Sequence, residues 1–236
     1  NGKAREVELT HDGLSPIGAG GYNVVASVKK KGVLPEYLPT EVVLRITRPD
    51  QYTCANLAVD EAAHTIFAAR NGIGTPLYAL GIFKPDFEYR RLRKPPLSRC
   101  VLGDGAPPVY GSVYVMQAAR ENLQQTIKSN DSRKNGMELA VAVTDLIVRA
   151  SRCGVAHFDI KPENILTMHR AGGVPCYRLT DCDPAFFLVL LDADWRALLL
   201  LNLTLLSAHV RNTGCEHAIA GWVSVVGPVL EQLLEH

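Results

Sequence analysis

Apolar residues in the first half of the chain fall in short runs of the kind that strands make. Val24, Val25 and Val28 form one run, and Val42, Val43, Leu44 and Ile46 form another, with Lys29-Lys30-Lys31 and a proline-containing loop between them. Runs of this length rich in β-branched residues predict extended structure. From about Asn56 to Arg70 the spacing becomes helical and alanine-rich, and Asn71-Gly72 supplies a stop signal. Strand-like runs return at Pro76 to Phe83 and at Ser112 to Ala118. The stretch between them, Lys84 to Gly111, carries prolines and the basic cluster Arg90, Arg91, Arg93 and Lys94. It reads as a long exposed connection, and the cluster as a solvated loop rather than a docking patch.

Beyond Gln117 the pattern is mostly helical. Met137 to Cys153 places Leu139, Val143, Leu146, Ile147 and Ala150 at three- and four-residue steps, which predicts a helix with one buried face. Two short strands are expected at Asn164 to Met168 and Tyr177 to Thr180, joined by a glycine-rich turn. A long helix is expected from about Asp194 to Arg211, and one or two more between Cys215 and Leu234. The order is strands with one helix, then helices with a small strand pair. That order predicts an α+β chain in two parts, residues 1–116 and 121–236, joined at 117–120. The apolar stretch Leu188 to Leu206 would suit a membrane span, but Asp192, Asp194 and Arg196 interrupt it, so a buried core helix is expected and no membrane span. The sequon Asn202-Leu203-Thr204 then falls inside a core helix and reads as a chance match; a second lies at Asn130-Asp131-Ser132.

Composition narrows the function classes. The chain has 236 residues, 47% of them hydrophobic, with 25 basic and 24 acidic side chains and a net charge of +1. These values predict a soluble globular chain. They lack the basic excess that phosphate neutralisation needs, so no nucleic-acid partner is expected. The six cysteines lie far apart, with no Cys-x-x-Cys pair, which argues against a zinc site and a dense disulfide scaffold and favours an intracellular location. The N-terminus is polar with no apolar leader and no initiator methionine, and reads as the edge of an excised piece.

The chemistry concentrates in His157-Phe158-Asp159-Ile160-Lys161-Pro162-Glu163-Asn164, between a long helix and a short strand. This run resembles the catalytic loop of the eukaryotic protein kinase superfamily, where His-x-Asp opens the loop and an Asn follows the Asp by five. The resemblance implies that Asp159 orients the attacking hydroxyl and accepts its proton. Lys161 would neutralise charge building on the transferred phosphoryl, and the amide oxygen of Asn164 would ligate Mg²⁺. Asp181-Cys182-Asp183 stands where the family has Asp-Phe-Gly, which implies that Asp181 is the carboxylate ligand of Mg²⁺ or Mn²⁺. Asp183, in place of a glycine, is expected to cap the turn.

Upstream, Gly18-Ala19-Gly20-Gly21-Tyr22-Asn23-Val24-Val25 is similar to the family's glycine-rich phosphate loop, with Asn23 at the third glycine position. By the same resemblance Val25 and Val43 cover the adenine of ATP, Leu166 forms its floor, Met116 guards its pocket, and the backbone around Ala118 meets the base. Arg45 stands where an ATP-binding lysine is expected, with Glu61 as its partner. A forked guanidinium cannot superpose on an ammonium.

The departures also concern regulation. Phe158 replaces an arginine that would bind a phosphorylated loop. Cys182 replaces a bulky aromatic, which removes packing against the helix bearing Glu61. Asp194-Trp195-Arg196 resembles the start of the family's core helix, yet it follows Asp181 too closely for a full activation segment or peptide platform. His64, His169, His209 and His217 share no metal-site spacing and read as surface or satisfied core residues. The resemblance implies a bilobal kinase-like fold with a strand-rich N-lobe and a shortened helical C-lobe, holding Mg·ATP in the cleft and using an unidentified protein or small-molecule hydroxyl acceptor. The alternative is a pseudokinase, a nucleotide-binding or scaffolding module. Compact atypical members occur in large DNA viruses and in parasites that export them into a host cell; this fixes no source.

Overall fold

The computed structural model describes residues 14–19 (backbone only), 23–28, 42–47, 53–84, 110–129, 136–169 and 175–235. The basic segments at Lys29 to Lys31 and Arg90 to Lys94, the sequon at Asn130, and Gly20 and Gly21 lie outside them. The described chain is mixed α+β, with an antiparallel five-stranded sheet, two smaller sheets and five α-helices. It divides into two compact units, one of Asn1–Ala62 with Pro76–Ala118, the other of Ala63–Thr75 with Ala119–His236.

The first unit is built on strands β1 (Leu14–Ala19), β2 (Asn23–Val28), β3 (Val42–Thr47), β4 (Leu77–Phe83) and β5 (Gly111–Gln117), in the order β1-β2-β3-β5-β4. Register sets Val25 opposite Arg45, Arg45 opposite Tyr114, and Val43 opposite Met116. Alternation then puts these residues on one face and Val28, Val42, Leu44, Ile46, Val113 and Val115 on the other, where they form a separate apolar cluster. Burial on both faces explains why β3 reads as an apolar run interrupted at Arg45 rather than as an alternating one.

Helix α1 (Ala55–Arg70) belongs to both units by its two halves. It stops where Gly72 adopts φ 64°, and the next residue, the fully buried Ile73, accepts a backbone bond from Leu179. The core of the second unit lies under α3 (Gly136–Arg152), α4 (Trp195–Asn212) and α5 (Glu216–Leu234). Asp194 caps α4 by accepting from Arg196 N. The apolar stretch that invited a membrane reading is therefore a strand end, a turn and a core helix burying Leu198, Leu199, Leu203 and Leu206. The sequon residue Asn202 is 1% exposed inside it.

Four short elements escaped the periodicity reading: β6 (Glu121–Asn122), α2 (Leu123–Lys128), β7 (Val155–His157) and β10 (Phe187–Val189). A strand of two or three residues carries no period. The start of α2, however, has a legible signal, because Asn122 and Gln125 form a capping box. The expected strand pair is β8 (Ile165–His169) and β9 (Pro175–Leu179).

Helix α5 is a single helix although Pro228 lies inside it, and by length and composition it is apolar enough to cross a membrane. It packs on the core through Ala218, Trp222 and Val226, and Trp222 Nε1 donates to Ser207 Oγ of α4 at 2.8 Å. Its approach to α3 depends on a missing side chain, since a Cβ on Gly221 would stand 2.6 Å from the carbonyl of Gly136. Gly221→Ala should therefore destabilise the chain by roughly 1–3 kcal/mol, against the gain of about 1 kcal/mol that alanine brings to an open helix site. The urea midpoint measures the sign, and a stabilised variant would refute this close packing.

Candidate functional site

Helix α3 delivers the chain to the His157–Asn164 loop. After Arg152 the backbone turns at Gly154, with φ 80°, into β7, whose three residues are all buried. One edge of β7 pairs with β10. The other is met by a single side chain of α4, because Asn202 Oδ1 accepts His157 N–H at 3.0 Å and its Nδ2 donates to Val155 O at 2.8 Å. A side-chain amide carries its donor and its acceptor on separate atoms, as a strand edge does, so it substitutes for a neighbouring strand. Asn202 is the important residue that the sequence reading missed; only its polarity within a leucine run signalled it.

The loop gathers three of the expected residues. Lys161 Nζ lies 2.9 and 2.7 Å from the two carboxylate oxygens of Asp159. Asn164 Nδ2 donates to Asp159 O at 2.9 Å and to Asp159 Oδ2 at 3.0 Å. The lysine begins a 3₁₀ turn, Pro162–Asn164, in which proline sits at a helix start where no N–H is needed. Asn164 Oδ1, the other end of the same amide, can serve only as an acceptor or an oxygen ligand.

Asp181 comes from the next turn. Thr180 N donates to Asn164 O at 3.0 Å, and Thr180 O receives His157 Nε2 at 3.2 Å, so the peptide before Asp181 is held at both ends. A carbonyl only accepts, hence Nε2 carries the imidazole proton. Asp181 has φ 61°, the one positive φ outside glycine among the described residues. That conformation costs an L-residue on the order of 1–2 kcal/mol, less for Asp than for most, and must be imposed by its surroundings. Asp183 caps the following turn as expected: its carboxylate accepts from Ala185 N at 2.8 Å, and its carbonyl accepts from Phe186 N and Phe187 N.

Cys182 is buried, and Phe187, a few residues on, lies 5.5 Å from the ring of His64 on α1. His64 is not a satisfied core residue: its Nδ1 is buried without a hydrogen-bond partner among the described residues, as is that of His157. Burial of the His157 ring lowers its pKa below the free value, against the opposing pull of the Thr180 carbonyl, Asp181 and Asp159. Phe158 is 46% exposed and donates its backbone N–H to Phe186 O.

The remaining residues lie in the first unit, apart from Leu166, which is half-buried on β8 opposite Asn122 and Arg178. Val25, Val43, Met116 and Ala118 share one apolar cluster with Tyr114, Leu77 and Leu80. Gly18 pairs with Val25 across β1 and β2. Arg45 and Glu61 form an ion pair at 2.9 Å, with side chains 9% and 17% exposed, and the guanidinium carbon lies 5.3 Å from the Tyr114 ring centroid.

No group of three or more His, Cys, Asp or Glu that could hold a metal occurs among the described residues. Asn164 and Asp181 are instead one amide and one carboxylate on adjoining turns, both hard oxygen donors. That pair suits Mg²⁺, which keeps several waters and takes few protein ligands beside a substrate phosphate. No protein-family model and no curated protein matches this chain.

Replacing Asn202 by Leu strips partners from two buried backbone groups, each worth about 1–3 kcal/mol. Chemical denaturation should show a loss of roughly 2–6 kcal/mol, and a loss below 1 would refute the role given to this amide. For His157, the unfolded chain binds more protons than the folded one between the lowered folded pKa and the free value of about 6.5. Its contribution to stability is thus complete above about pH 6.5 and declines as pH falls below it. His157→Gln should flatten this acid branch of the stability profile, and an unchanged branch would contradict the buried neutral ring.

Proposed function

We propose that this chain is a divergent phosphotransferase of bilobal, protein-kinase-like build, moving the γ-phosphate of ATP to a hydroxyl acceptor. The observation that carries the reading is the Asp159 carboxylate bracketed by Lys161 and Asn164, with the Asn164 backbone bonded to the residue before Asp181. Asp159 orients the acceptor hydroxyl and takes its proton, and Lys161 offsets charge on the transferred group. Asn164 and Asp181 hold Mg²⁺ or Mn²⁺, which when bound neutralises the phosphate oxygens. Arg45, kept in place by Glu61, meets the phosphates together with the backbone of Gly18, Gly20 and Gly21. The apolar cluster of Val25, Val43, Met116 and Ala118, with Leu166, takes the adenine.

One observation favours a second reading, a nucleotide-binding scaffold without turnover. Arg45 stands at the lysine position already engaged by Glu61 and Tyr114. The two readings separate on one preparation. Incubated with Mg·ATP and generic hydroxyl acceptors, the chain should release ADP or label itself, and Asp159→Asn should cut the rate by about 10²–10⁴. Nucleotide at about 100 times its Kd should add roughly 2.7 kcal/mol of stability in either case. Stabilisation without turnover leaves the scaffold; neither effect sinks both.

A further inference from the structure

The feature that the reaction scheme does not use is Phe187. Its side chain is fully buried, and its ring meets two imidazoles at equal separations of 5.5 Å, that of His64 on α1 and that of His157 on β7. The second contact is edge-on, at 70°. Neither imidazole has a hydrogen-bond partner at Nδ1 among the described residues, and both share the contact with the phenyl ring. The backbone of Phe187 is independently secured, by its bond to Asp183 O at 2.8 Å and by the β7–β10 pairing opposite His157.

What His157 then holds is the Thr180 carbonyl, one peptide before the left-handed Asp181. A residue in that conformation stays there only while its neighbours impose it. From this arrangement we infer that Phe187 is a positioning residue: packed against both His64 and His157, it fixes the imidazole that holds the Thr180–Asp181 turn, and so sets where the Asp181 carboxylate stands. The inference rests on the phosphotransferase reading for its catalytic consequence, though not for its structural one.

The test is Phe187→Leu, which keeps an apolar side chain, removes the ring and leaves the backbone bonds. In the free protein, hydrogen exchange at the Thr180 amide, now protected by Asn164 O, should speed up at least about tenfold while amides inside α3 hold their rates. With Mg·ATP, kcat should fall about tenfold or more while KM for ATP stays within about twofold, the split expected when positioning of a reacting group is lost. His64→Leu, which removes only one of the two ring contacts, should give smaller changes of the same sign, and it is the deciding variant if Phe187→Leu loses protection throughout. Unchanged exchange at Thr180 in a folded variant overturns the inference, as does faster exchange with kcat intact. A wild-type chain that neither turns over ATP nor is stabilised by it sinks the phosphotransferase reading instead, and the exchange result still decides whether Phe187 holds the turn.

Discussion

The second unit depends on one buried amide. Asn202 meets both polar groups that β7 presents to α4, so a three-residue strand can be fully buried with its unpaired edge satisfied. Without that edge β7 would have no reason to enter the core, and His157 would have no fixed place from which to reach Thr180. The loop that follows inherits its starting point from this clamp. Asp159, Lys161 and Asn164 then organise one another through short local bonds. A long-range constraint and a local one are thus arranged in series, the first fixing position and the second fixing shape.

Much of this was legible in the sequence where the signals are local. The helices around Val143 and Leu203 and the strands around Leu44 and Val115 follow from spacing, and the Asp183 cap follows from residue type. The reading failed where structure is set by partners distant in the chain. β7 and β10 are too short to carry a pattern, and they exist because each supplies the other's hydrogen bonds. Asn202 looked like a chance sequon because nothing in a leucine-rich helix announces which turn faces a strand edge. The contact of Phe187 with His64 of α1 joins residues far apart in the chain, and no local pattern announces it.

The candidate site residues divide similarly. Their identities came from a linear motif, and for the Asp159 group the geometry is what short-range bonds of those residue types produce. The pairing of Arg45 with Glu61 joins a strand to a helix, and the sheet register that brings Tyr114 under the guanidinium lay beyond any local pattern. Cation, carboxylate and aromatic ring form a small electrostatic unit on one face of the first sheet, next to the apolar cluster of Val43 and Met116.

That unit has a consequence for how these positions can vary through descent. A guanidinium does not give up its proton at any pH met in a cell. A lysine that lost its carboxylate neighbour could answer by becoming neutral, whereas Arg45 would remain a full cation in the interior of a strand. Replacement of Glu61 by a neutral residue would therefore leave at 45 a charge that cannot be shed, so the cost of a change at either position depends on the residue at the other.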